Sequence, residues 1–295
     1  MPSISLVDVA KRYGKTTALD GLTVDFPSGS VVGFLGPNGA GKTTTFRCIL
    51  GLTRPDRGTV QVLGYDVARH LVEVTRRVAA VLEDPGLYDT HSGVANMLIA
   101  ADTLGEGHDR IEELLELVDL TAAAGRRVKG YSKGMRQRLA LATALLSDPE
   151  ILLLDEPLDG LDPAGQRAMK TKLVALARSG KTVVVSSHDL ADIEQLADHV
   201  VMIHRGRLVA QGPLSEVVGP ARSLVVEVDR PSEAAEALRA AGFGVELADG
   251  RLVVDTEDGT RVNRVLSEAG FHPSALTPRR PGLEEVFLRL TGEGT

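Results

Sequence analysis

The chain has 295 residues, more than one compact core usually holds, so two domains are expected. It is 43% hydrophobic and 25% charged, the balance of a soluble globular protein, with no apolar run of membrane-spanning length. A net charge of −7 and 3% aromatic residues argue against nucleic acid as a partner, since phosphate backbones call for basic surface and bases for stacking platforms.

Residues 1–30 alternate in strand fashion, with turns expected at Gly14, Asp20-Gly21 and Pro27-Ser28-Gly29. The opening Met1-Pro2-Ser3-Ile4-Ser5 has no signal-peptide layout, so a cytoplasmic location is expected. Ser30 to Leu35 reads as a short buried strand. It enters Gly36-Pro37-Asn38-Gly39-Ala40-Gly41-Lys42-Thr43-Thr44, which fits the P-loop pattern G-x-x-x-x-G-K-[ST] without a mismatch. Thr44 to Leu50 reads as the helix leaving it. Strand, glycine loop and helix in this order are what binding of a nucleoside triphosphate with magnesium requires. Gly36, Gly39 and Gly41 let consecutive N–H groups point inward as an anion nest, and the helix N-terminus adds partial positive charge. Lys42 would reach the β- and γ-phosphates, the Thr43 hydroxyl would bind Mg²⁺ and Thr44 could donate to the α-phosphate. Cys48, the only cysteine, rules out an intrachain disulfide and reads as a small buried residue of that helix.

Gly58 to Gly64 reads as a further strand, and residues about 90–147 are mostly helical in pattern. Tyr131-Ser132-Lys133-Gly134-Met135 precedes the helical run Arg136 to Leu146. Ser132 there is a good N-cap, and its hydroxyl and the nearby N–H groups could face an anion. Ile151 to Leu154 is an apolar strand ending in Asp155-Glu156. After a P-loop, Asp155 would hold magnesium and Glu156 would deprotonate or orient the water that attacks the γ-phosphate. A helix from Ala164 to Ser179 and strands Thr182 to Ser186 and Val200 to Ile203 complete an α/β alternation, which implies a parallel sheet covered by helices.

A boundary is expected near Gly219-Pro220, dividing the chain into residues 1–219 and 222–295. Beyond it the order is strand Leu224 to Val228, helix Ser232 to Ala241, a hairpin of Phe243 to Leu247 with Leu252 to Asp255 around Asp249-Gly250, helix Val262 to Ala269 and a strand within 271–277. That is β-α-β-β-α-β, the split-βαβ plan of a small α+β domain. A last helix, Leu283 to Leu290, follows.

The ordered set Gly36 to Thr44, Tyr131 to Met135 and Ile151 to Glu156 resembles the ATP-binding cassette (ABC) ATPases. Asp159-Gly160-Leu161-Asp162 looks like the family's D-loop and His188, in Ser186-Ser187-His188-Asp189, like its switch histidine. The resemblance covers residues 3–215. It implies a P-loop NTPase fold with a RecA-like core, an N-terminal antiparallel β subdomain and a helical subdomain at about 84–147. It further implies that Tyr13 stacks on adenine and that two cassettes close head to tail around two ATP molecules. Ser132 and Gly134 of one cassette, with Asp162 nearby, would then meet the nucleotide held by Lys42 of the other, and His188 would stabilise transition-state charge around Glu156. The tail, with its ending Leu283-Glu284-Glu285-Val286-Phe287-Leu288, is similar to the small C-terminal domain of bacterial exporter ATPases.

Two positions depart from the family pattern. Its usual signature, Leu-Ser-Gly-Gly-Gln, is here Tyr-Ser-Lys-Gly-Met, which adds the charge of Lys133. Glu83 stands at the Q-loop position in place of glutamine, where a carboxylate can still meet Mg²⁺. The implied function is ATP hydrolysis that powers export of a drug, antibiotic, lipid or similar compound. A separate transmembrane permease would be the partner, and the chain would sit peripherally on the cytoplasmic face of the membrane. Residues 83–100 would dock the permease. A non-transport cassette ATPase with a regulatory, translation or repair role is the alternative, and a P-loop small-molecule kinase a third reading. One cassette, no heptad arm and one cysteine favour transport.

Overall fold

The computed structural model describes residues 2–82 and 86–292. Two long strands open the chain, β1 (Pro2–Tyr13) and β2 (Thr16–Pro27), joined at Gly14. Asp20-Gly21 lies within β2 and is not a turn. Val9 and Lys11 of β1 face Leu22 and Leu19 of β2, so β2 carries one extra residue here as a bulge, and the φ of 71° at Gly21 accommodates it without breaking the pairing. β3 (Val31–Leu35) is buried along its whole length and leads into α1 (Lys42–Ile49). β4 (Arg57–Val62) and the two-residue β5 (Tyr65–Asp66) return to the first hairpin, giving an antiparallel sheet of order β2-β1-β4-β5.

After α2 (Leu71–Thr75) and β6 (Val78–Val81) come three helices: α3 (Gly93–Leu104), α4 (Ile111–Leu117) and α5 (Lys133–Ala144). Ser92 and Ser132 cap α3 and α5 by accepting from the N–H three residues on. Leu114 and Leu115 of α4 are buried while Glu112, Glu113 and Glu116 are exposed, so the acidic residues form the solvated face.

β7 (Ile151–Asp155), α6 (Pro163–Arg178), β8 (Thr182–Ser187), α7 (Leu190–Glu194), β9 (His199–His204) and β10 (Arg207–Pro213) complete the first compact unit, which ends at Leu214. The second sheet has the order β10-β9-β3-β8-β7-β6. All its neighbours are parallel except β10, which pairs antiparallel with β9 at the edge. Strands of such a sheet are covered on both faces and read as unbroken apolar runs, as Ile151–Leu154 and Val183–Val185 do. One core joins the two sheets. Phe46 of α1 packs against Phe34 of β3, which meets Phe26 of β2 edge-on at 5.5 Å. The P-loop helix is thereby wedged between the sheets.

The second unit begins at Ser215, within α8 (Leu214–Val218), four residues ahead of the expected break at Gly219-Pro220. It contains β11 (Ser223–Glu227), α9 (Pro231–Ala240), β12 (Val245–Ala248), β13 (Arg251–Val254), α10 (Gly259–Glu268), β14 (Ala275–Arg279) and α11 (Leu283–Thr291). Its sheet runs β12-β13-β11-β14 with every pair antiparallel, which is the split-βαβ plan. Leu224, Val226, Leu252 and Val254 on one sheet face meet Ala234, Leu238, Val262 and Leu266 of α9 and α10 in a core of their own.

Candidate functional site

The P-loop hangs from the buried end of β3. No side chain among the described residues caps α1, whose N-cap is Gly41, so the first-turn N–H groups open toward the loop. Gly41 has φ 112°, and a β-carbon there would lie 2.7 Å from the carbonyl oxygen of Ala18. Gly206, in the β9–β10 turn, presses on the same carbonyl, a built β-carbon lying 2.6 Å away. Two hydrogen bonds complete this junction, from Asp20 N–H to Gly206 O and from Gly206 N–H to Ala40 O, each 2.9 Å.

Lys42 is 7% exposed, and its ammonium donates to Gly36 O at 2.6 Å. The same nitrogen lies 3.3 Å from Glu156 Oε1. Thr43 Oγ1 donates to Asp155 Oδ2 at 2.9 Å. Ser186, fully buried at the end of β8, donates its hydroxyl to the other Asp155 oxygen and accepts from Glu156 N–H at 3.0 Å. Glu156 has φ 51°, a left-handed conformation that a non-glycine residue adopts at a cost of about 1–3 kcal/mol. That conformation turns its carboxylate back over the loop, where Oε2 lies 3.0 Å from Nδ1 of the half-exposed His188. Lys42, Thr43, Asp155, Glu156 and His188, with Thr16, Thr17, Pro37, Asn38, Gly39, Thr44 and Asp159, line a cleft of about 460 Å³.

The other expected residues gather elsewhere. Ser132 accepts from Met135 N–H at 3.2 Å as the cap of α5, and Asp162 accepts from Gly165 N–H at 3.1 Å as the cap of α6. With Gly134 they border a second cleft of about 600 Å³, bounded also by Lys133, Gly160 and Leu161. The signature and the P-loop of one chain therefore line different clefts. Tyr13 is half-exposed at the β1–β2 tip, opposite Thr16, with the Lys11 ammonium 5.5 Å from its ring centroid. It flanks the P-loop cleft without lining it. Glu83, with Asp84 and Pro85, lies outside the described residues.

Sequence reasoning passed over Ser186, although a polar pair ending the apolar run Val183–Val185 marks it. It also left Lys133 unassigned. Its ammonium pairs with Asp159 Oδ2 at 2.7 Å, and this contact holds the Asp159 carboxyl below its ordinary value.

The cleft suits a nucleoside triphosphate. It has the size of a small-molecule site, glycine backbone on one wall, an open helix N-terminus and a buried cation. Thr43 and Asp155 offer a hydroxyl and a carboxylate, the oxygen donors a hard cation such as Mg²⁺ takes. Among the described residues no group of three or more His, Cys, Asp or Glu gathers to hold a metal alone.

Fold and site together define an ABC-type ATPase cassette. The family described as ABC transporter matches residues 19–159, and the chain belongs to the ATP-binding proteins of ABC transporters. It is 36% identical over 300 residues to the bacitracin transport ATP-binding protein BcrA of Bacillus licheniformis, covering 99% of this chain and 98% of that one. It is 38% identical over 309 residues to the daunorubicin resistance ATP-binding protein DrrA3 of Streptomyces coeruleorubidus, covering 99% and 96%. A solved ATP-binding subunit of an ABC transporter superposes with a TM-score of 0.66 at 30% identity, over 72% of this chain and 91% of that one.

Proposed function

We propose that the chain powers export of a drug, antibiotic, lipid or similar compound through a separate membrane permease, acting as one of a pair of cassettes on the cytoplasmic face of the membrane. The observation that carries the catalytic part is the contact of Lys42 and His188 with opposite oxygens of the Glu156 carboxylate, beside the Thr43–Asp155 pair. Export is supported by the relatives with bacitracin transport and daunorubicin resistance in their names.

In this reading the α1 N-terminus and the loop N–H groups receive the phosphates of ATP, and Lys42 moves its ammonium from Gly36 O to the β- and γ-phosphates. Tyr13 covers the adenine. Thr43 and Asp155 would hold Mg²⁺, which would neutralise charge on the phosphate oxygens. Glu156, released from Lys42, accepts the proton of the attacking water, a contribution of about 10²–10⁴ in rate. His188 keeps the carboxylate aimed and offsets the negative charge that grows in the transition state. Ser132 and Gly134 of the second cassette close the site from the other side, which explains why the two sets of residues line different clefts of one chain. Glu83 would sense the metal, and the residues after it would meet the permease, exposed Tyr88 providing an apolar anchor.

No helix among the described residues is long and apolar enough to cross a membrane. Affinity purification of the tagged chain from solubilised membranes, with the bound proteins identified, tests the reading. A permease of several apolar segments of about 20 residues each is the expected companion. Recovery with ribosomes or nucleic acid and no membrane protein would refute it.

A further inference from the structure

The first turn of α5 grips the loop that follows β7 at several points. Lys133 lies across Gly160, where a built β-carbon would come within 2.7 Å of its ammonium, and pairs with Asp159 Oδ2 at 2.7 Å. Gln137, one turn further along α5, donates Nε2 to Glu156 O and to Asp159 O, each at 3.4 Å. A β-carbon on Gly134 would sit 3.0 Å from the Leu161 side chain, so helix and loop approach closely at this point. The Oε1 atom of Gln137 is buried with no hydrogen-bond partner among the described residues. A buried acceptor left unpaired costs stability, so packing alone does not explain a glutamine here. What the side chain does supply is two donors to the backbone that carries Glu156 in its left-handed conformation, whose N–H is fixed from the other side by Ser186.

We infer that Lys133 and Gln137 are positioning residues, a clasp through which the Ser132 end of α5 sets the placement of Glu156 in the same chain. The inference rests on the proposed reading of Glu156 as general base and of Ser132 as a contact to the second cassette's nucleotide. When that contact pulls on α5, the clasp carries the displacement to the Glu156–Asp159 backbone. Each cassette thus senses occupancy of the opposite site through its own signature helix. A misplacement of a catalytic group by about 1 Å can cost about 10²-fold in rate, so small shifts suffice.

The test uses the full chain with ATP and magnesium, reading nucleotide affinity, phosphate release and melting temperature separately. Gln137→Met removes the unpaired acceptor, so its melting temperature should equal or exceed that of the parent, while kcat falls about tenfold with ATP affinity within about twofold. Lys133→Met and Asp159→Asn should each lower kcat by about threefold, the scale of an exposed ion pair. The swap K133D/D159K should recover most of that loss. Parental kcat in Gln137→Met, or a swap as slow as the single variants, overturns the clasp. The unmodified chain is its own control: if it neither binds nor hydrolyses ATP, the general-base reading falls and takes the clasp with it, whereas normal turnover in every variant sinks the clasp alone.

Discussion

The Lys42 ammonium and the Glu156 carboxylate lie 3.3 Å apart across the cleft. The residue expected to hold the terminal phosphate and the residue expected to activate water thus neutralise one another, and ATP must separate them. Glu156→Gln should therefore bind ATP more tightly than the parent, because the glutamine competes less for Lys42. Turnover should fall by about 10²–10⁴. Equilibrium binding and phosphate release, measured on the same preparation, check both halves.

Ser186 ties Asp155 to the backbone of Glu156 from a fully buried position. Ser186→Ala leaves a buried N–H and one carboxylate oxygen without this partner, at a cost of about 1–3 kcal/mol. For a unit of this size that corresponds to a fall of about 2–12 °C in melting temperature, at about 2–4 °C per kcal/mol. Calorimetry reads it directly, and kcat should drop in parallel.

His188→Ala removes the imidazole that lies 3.0 Å from the outer oxygen of Glu156. His188 is half-exposed, so stability should change by less than about 0.5 kcal/mol. Turnover should fall by about 10² with ATP affinity nearly unchanged. A variant that loses affinity and keeps kcat would place His188 in binding alone.

Burial raises the Cys48 thiol from its ordinary value of 9.0 to about 11. Below pH 9 the thiol is protonated in the folded and the unfolded chain, so it contributes no pH dependence. Between pH 9 and 11 the unfolded state loses the proton and the folded state keeps it, so stability falls as pH rises through this window. Cys48→Ala should flatten that part of the stability profile. Alkylation of the native chain at pH 8 should proceed far more slowly than alkylation in denaturant.

The parts of this architecture set by local chemistry were legible from residues alone. Gly36 to Thr44 announces itself because a phosphate cradle needs glycine and lysine at fixed spacing. Ser132 reads as a cap because its hydroxyl must find an N–H three residues on. The hairpin at Asp249-Gly250 and the order of the second unit follow from turn residues and alternation. What did not show were relations between distant segments. Gly21 reads like a turn, yet pairing with β1 carries the chain through it. Ser186 and Gln137 acquire their roles only when β8 and α5 are brought to the end of β7. Lys133 looks like a stray charge until Asp159, 26 residues on, closes beside it.

The junction of Ala18, Gly41 and Gly206 gathers backbone from three places in the chain, with no room for a methyl group at either glycine. A turn 164 residues downstream of the P-loop lysine, and not itself lining the cleft, is therefore a point from which nucleotide affinity can be adjusted. A geneticist seeking a conditional allele would find Gly206→Ala a better starting point than any residue that touches phosphate. It would leave every reactive group in place and loosen the frame that holds them.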